Sequence, residues 1–141
     1  MTTFLLKTEP GTYSFDDLVR DKKTTWDGVT NAAALIALRA MRKGDEAFIY
    51  HSGDERAIVG LATVIRGSYP DPKNPELNAK GEPKFAVVDL KPRAKAKTPV
   101  TLGAIKADKR FARLQLVTIS RLSVMPVAPE HDRALREMAG L

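Results

Sequence analysis

The sequence predicts a mixed α+β fold, and three observations carry that prediction. Short β-branched or aromatic runs recur along the 141 residues, capped helical segments separate them, and one Pro/Gly/Asn-rich excursion lies mid-chain. This pattern leaves open both a closing barrel and a small open α/β sheet. The long loop and the β-branched runs favour a mixed, largely antiparallel β-barrel flanked by short helices.

Each element follows from local chemistry. Phe4-Leu5-Leu6 reads as a buried strand stopped by Pro10 and Gly11. Ser14 stands three residues before Asp17, a capping pattern that predicts a helix over residues 14–20; the polar segment 21–25 reads as a loop. Asn31 caps the most secure helix, the Ala-rich run from Ala32 to Met41, which ends on Arg42, Lys43 and Gly44. Residues 47–50 and 57–65 form an expected antiparallel pair, and residues 69–83 an irregular loop. A strand over 85–90 leads into a basic connection over 91–99 and then helical turns from about Leu102 to Leu116. Residues 117–119 and 122–127 are expected to pair at the sheet edge, where Pro126 is tolerated, before a final helix over 129–138.

Composition narrows the function. A 43% hydrophobic and 28% charged chain, with mean hydropathy of -0.24, is that of an ordinary globular protein, and its length suits one domain over residues 1–141. Without cysteine there is no disulfide framework, no Cys-based zinc site and no thiol nucleophile. Two histidines leave little for a metal, so neither a metal nor a cofactor is expected. No apolar run has the length to span a bilayer, and the N-terminus lacks a basic segment leading into a long apolar one; a cytoplasmic protein without membrane association is expected.

Net charge is +6, and its placement says more than its sum. Residues 91–121 carry nine cations against the single acid Asp108, a net +8 that leaves -2 for the rest. Such a stretch suits phosphate contact, with Lys91, Arg93, Lys95, Lys97, Lys109, Arg110 and Arg113 as candidates; it equally describes a solvated lysine-rich face.

Four segments could carry chemistry. Trp26-Asp27-Gly28-Val29-Thr30-Asn31 sets the only tryptophan beside a glycine and a helix start, where an indole could stack on a base and backbone N–H groups or the Asn31 amide could read its edge. On local grounds alone Trp26 reads as core and Asn31 as a cap. Tyr50-His51-Ser52 ends a strand in polar groups, but adjacent strand residues face opposite ways, so no Ser-His nucleophile is assembled. Lys7-Thr8-Glu9-Pro10 offers a cation, a hydroxyl and a possible general base in Glu9, while Arg121 and Ser123 adorn an otherwise apolar strand. Phosphate-cradling, zinc-hydrolase and deaminase signatures are absent.

Taken in order with Tyr69-Pro70-Asp71 and Arg121-Leu122-Ser123-Val124-Met125-Pro126-Val127, these motifs resemble the EVE domain family across residues 3 to 130. The resemblance implies a PUA-like barrel related to ASCH and YTH domains, with a pocket for a base in DNA or RNA. By position it implies Lys7, Thr8, Trp26, Gly28, Val29, Asn31, Tyr50, His51, Ser52, Arg121 and Ser123 at or near that pocket. It turns Trp26 from core residue into aromatic platform. The chain departs from the family pattern at Thr30, where arginine is usual, and at Met125, where glutamine is common. The expected function is a non-catalytic reader of a modified base, with an ASCH-like nucleotide or modified-base hydrolase and a nonspecific RNA- or protein-binding domain as rivals.

Overall fold

In the computed structural model, which describes all 141 residues, six strands form one sheet in the order β2-β5-β4-β3-β1-β6. The strands are β1 (Thr3–Thr8), β2 (Thr24–Trp26), β3 (Glu46–His51), β4 (Ala57–Pro70), β5 (Ala86–Thr101) and β6 (Val124–Val127). The helices are α1 (Phe15–Asp21), α2 (Ala32–Arg39), α3 (Leu102–Ala107), α4 (Gln115–Thr118) and α5 (Pro129–Ala139), with a 3-10 turn at Lys109–Phe111. Only β1 and β3 pair in parallel.

The mixed, mostly antiparallel α+β architecture matches the expectation, but the sheet is not closed: β2 and β6 are its two edges and do not pair. Repeated register shifts along β4 and β5 bend these long strands. Helix α2 contacts β6 at one edge and β5 and β4 near the other, so it packs across the opening.

Local signals held where they had a mechanism. Ser14 and Asp17 form a reciprocal capping box on α1, and the Asn31 side chain accepts from the Ala34 N–H at 3.0 Å to start α2. Three expectations need correction. Residues 24 and 25, expected within the loop over 21–25, instead begin the edge strand β2, laid antiparallel on β5 with Trp26 opposite Val88. The basic segment 91–99 is not a connection but the second half of β5, where pairing to β4 holds Lys-rich sequence extended while Ala96 and Val100 point inward. Residues 117–119 do not pair with β6, because residues 115–118 turn as α4; the partner of β6 is β1.

One buried cluster of 37 hydrophobic residues joins all six strands to the helices. Gly60 shows how tightly α1 sits on it: a β-carbon there would lie 2.5 Å from the Phe15 ring, so only glycine lets the helix approach.

Candidate nucleic-acid interface

A cavity of about 580 Å³ opens between the two sides of the curved sheet, within the usual range for a small-ligand pocket. One side is the end of β1 and the turn after it: Lys7, Thr8, Glu9, Thr12 and Tyr13. The other is β2 and its following loop, Thr24 through Asn31, with Ser123 completing the lining. Local bonding fixes both walls. The Thr12 and Tyr13 N–H groups both donate to the Glu9 carbonyl at 2.9 Å, and the Thr8 hydroxyl donates to the Tyr13 carbonyl at 2.7 Å. Tyr13 then meets Trp26 edge-on, with ring centroids 6.4 Å apart.

Trp26 is only 9% exposed: the indole belongs to the core, as its local context predicts, and it also lines the cavity. The loop after it turns through Gly28, whose φ of 77° favours glycine. The backbone N–H groups of Gly28, Val29 and Thr30 donate to nothing in the protein, and the Asn31 amide nitrogen is also free because only its oxygen serves as the cap. Asp27 forms no hydrogen bond or ion pair. The Lys7 amine donates to the Ser120 carbonyl at 2.8 Å, and burial holds its pKa below the ordinary lysine value. The cavity is thus lined by residues with free donors, by the unpaired Asp27 carboxylate and by Glu9, which accepts the Ser52 hydroxyl at 3.4 Å, beside one aromatic wall.

Of the residues expected at the pocket, Lys7, Thr8, Trp26, Gly28, Val29, Asn31 and Ser123 line it, whereas Tyr50, His51, Ser52 and Arg121 do not. Three of those four stand behind the wall. Tyr50 is buried beneath the Lys7 amine, which lies 5.7 Å from the ring centroid, and burial raises its pKa. The buried His51 accepts the Phe15 N–H on Nε2 at 3.0 Å, which leaves its proton on Nδ1, 2.6 Å from Glu55. With both ring nitrogens engaged, His51 has no free site for a general base. The Ser52 N–H donates to the Thr8 carbonyl at 2.9 Å, and Arg121 is exposed beside Ser120.

The strand reading missed Thr12, Tyr13, Thr24 and Thr25 as cavity residues. A signal existed for two of them, since Thr24-Thr25-Trp26 is a β-branched and aromatic triplet, but at three residues it falls below the length of a secure strand.

The basic stretch divides as well. Arg93 pairs with Glu46 at 2.7 Å, Lys95 with Asp16 at 3.2 Å and Arg110 with Asp108 at 2.7 Å, while Lys91, Lys97, Lys109 and Arg113 are exposed without an ion pair. None of the seven lines the cavity. No group of three His, Asp or Glu side chains is placed to hold a metal ion.

Fold and cavity together define a small α+β domain with a pocket walled in part by its only tryptophan. The model of the EVE domain matches residues 2–138, and the chain belongs to that family. It is 32% identical to human thymocyte nuclear protein 1 over 155 residues, covering 90% of this chain and 69% of that protein. A protein from Rhodopseudomonas palustris, solved by NMR, superposes with a TM-score of 0.88 at 43% identity over 99% of this chain and 94% of its own. The human THYN1 protein, crystallised in complex with 5-methylcytosine-containing DNA, superposes at 0.84 with 31% identity over 98% of each chain. An ASCH protein from Zymomonas mobilis, 11% identical over 98% of this chain and 99% of its own with a TM-score of 0.61, shares the fold alone.

Proposed function

We propose that this domain is a non-catalytic reader of a modified base in nucleic acid, with a modified cytosine in DNA the favoured ligand. The observation that carries the reading is the Trp26-walled cavity with its unpaired donors at residues 28–30. A flipped base stacks against the indole, and its polar edge meets those donors and the carboxylates of Asp27 or Glu9. Cytosine offers an amino donor that a carboxylate accepts, and ring nitrogen and carbonyl acceptors that N–H groups satisfy. The human relative bound to 5-methylcytosine-containing DNA supports that choice. The same reading takes the curved sheet, with α2 packed across its open side, as a PUA-like barrel.

Calorimetric titration with paired methylated and unmethylated oligonucleotides, as DNA and as RNA, at two salt concentrations tests this. Affinity falls with salt for both members of a pair, whereas the preference for the methylated one persists. Trp26→Leu keeps apolar bulk in the core but removes the stacking face, and costs roughly 1–3 kcal/mol of binding. Equal affinity for methylated and unmethylated strands in both polymers would sink the reading in favour of a nonspecific phosphate binder.

A further inference from the structure

A second groove lies at the other end of the helix that borders the base pocket. Asn31 caps α2 at the first cavity, and Ile36, Arg39 and Ala40 carry the far end of that helical segment into a separate cavity of about 520 Å³. Its opposite wall is the turn at residues 78–82. That turn is rigidly built: the Asn78 N–H donates to the Glu82 carbonyl at 2.8 Å, and the Asn78 side-chain oxygen accepts the N–H groups of Lys80 and Glu82, each at 2.9 Å. Arg39 Nη1 donates to the Pro83 carbonyl at 3.2 Å and ties the helix to this wall. The groove is therefore preformed.

Its chemistry is that of a polyanion with flat apolar parts. Ile36 is 65% exposed, an apolar surface left without a partner. Lys80 is exposed and its amine is unpaired, while Arg39 uses one donor on Pro83 and keeps the rest. The one acid in the lining, Glu82, accepts from the Asn78 amide at 3.4 Å, and exposed Arg42 and Lys43 follow directly after α2. Eight residues of helix rise about 12 Å, which corresponds to three or four stacked nucleotide steps of ~3.4 Å.

We propose that this groove binds the nucleic-acid strand flanking the recognised base, with phosphates on Arg39 and Lys80 and a sugar or base against Ile36. The assignment rests on the base-reading role of the first pocket, and its charge and its continuity along α2 favour the same ligand over a second partner.

Oligonucleotides carrying 5-methylcytosine with one flanking nucleotide, or with six on either side, separate the two sites. The longer strand binds about tenfold tighter to the unaltered protein. Lys80→Glu, an exposed turn position whose side chain holds nothing, removes most of that gain and lowers the salt slope by about one to two. The ratio of methylated to unmethylated affinity, read in the same titrations, stays unchanged because the first pocket is untouched. Ile36→Asp gives the same pattern without altering the tie to Pro83. Equal affinity for short and long strands, or a gain that survives both substitutions, overturns the groove while leaving the base preference to be judged by its own ratio. Lys80-dependent binding of an oligoglutamate peptide without a length gain for DNA overturns it in favour of a protein partner.

Discussion

The loop from Asp27 to Asn31 and the network around Glu46 both gather polar groups, and they use them in opposite ways. Glu46, buried at the start of β3, takes Arg93 at 2.7 Å and Arg136 at 2.9 Å; Arg136 also holds Asp132 at 2.6 Å, which accepts the Thr3 hydroxyl. Every charge there has a partner within the chain. In the loop, three successive N–H groups and a carboxylate have none. Paired polar groups hold elements together, and unpaired ones beside a cavity are available to a ligand, so the two regions separate stability from recognition.

Substitution of Glu46 is expected to have the largest effect. Glu46→Ala leaves half-buried Arg136 with Asp132 alone and costs about 3 kcal/mol, at the low end for a broken buried pair because Arg136 keeps that carboxylate and Arg93 reaches solvent. The drop appears as a lower urea midpoint, with base preference unchanged. Loss of that preference at full stability would break the division between the two regions.

His51 tests the boundary between them. His51→Phe keeps the ring but leaves the buried Phe15 N–H without an acceptor, at about 1–3 kcal/mol. It also frees the start of α1, and with it Tyr13 against Trp26, the only tryptophan. His51→Gln can return an acceptor oxygen near the Nε2 position and restore much of both. Denaturation and indole fluorescence of the two variants decide the matter: identical behaviour would mean that the hydrogen bond contributes nothing to the wall.

What was legible in the sequence follows the same division. The Asn31 cap, the Ser14 capping box and the edge position of Pro126 were readable because each depends on neighbours within a few residues. The resemblance pointed to the Trp26 loop and the β1 end, and residues of both line the cavity. It could not tell Lys7 from Tyr50, since both carry a motif but only register and burial place one in the cavity and the other beneath it. The second half of β5 was hidden because its lysines face solvent and its extended form comes from pairing with β4, not from its own composition. Thr12 and Tyr13 reach the pocket through the turn around the Glu9 carbonyl, a contact no periodicity announces.

The smallest expected change sharpens the comparison from the open side. Thr30 lines the cavity, is exposed and makes no side-chain hydrogen bond, at the position where the family pattern has arginine. Thr30→Arg breaks no internal contact, so stability stays within about 0.5 kcal/mol. The new guanidinium adds one cation at the lip of the pocket, where it meets the phosphate beside the flipped base. Affinity for methylated and unmethylated strands rises together, by up to about tenfold at low salt and less at high salt, because a phosphate contact carries no base information. A rise confined to the methylated strand would place the arginine on the base edge instead, and Thr30 would then be a position where this chain has given up selectivity as well as strength.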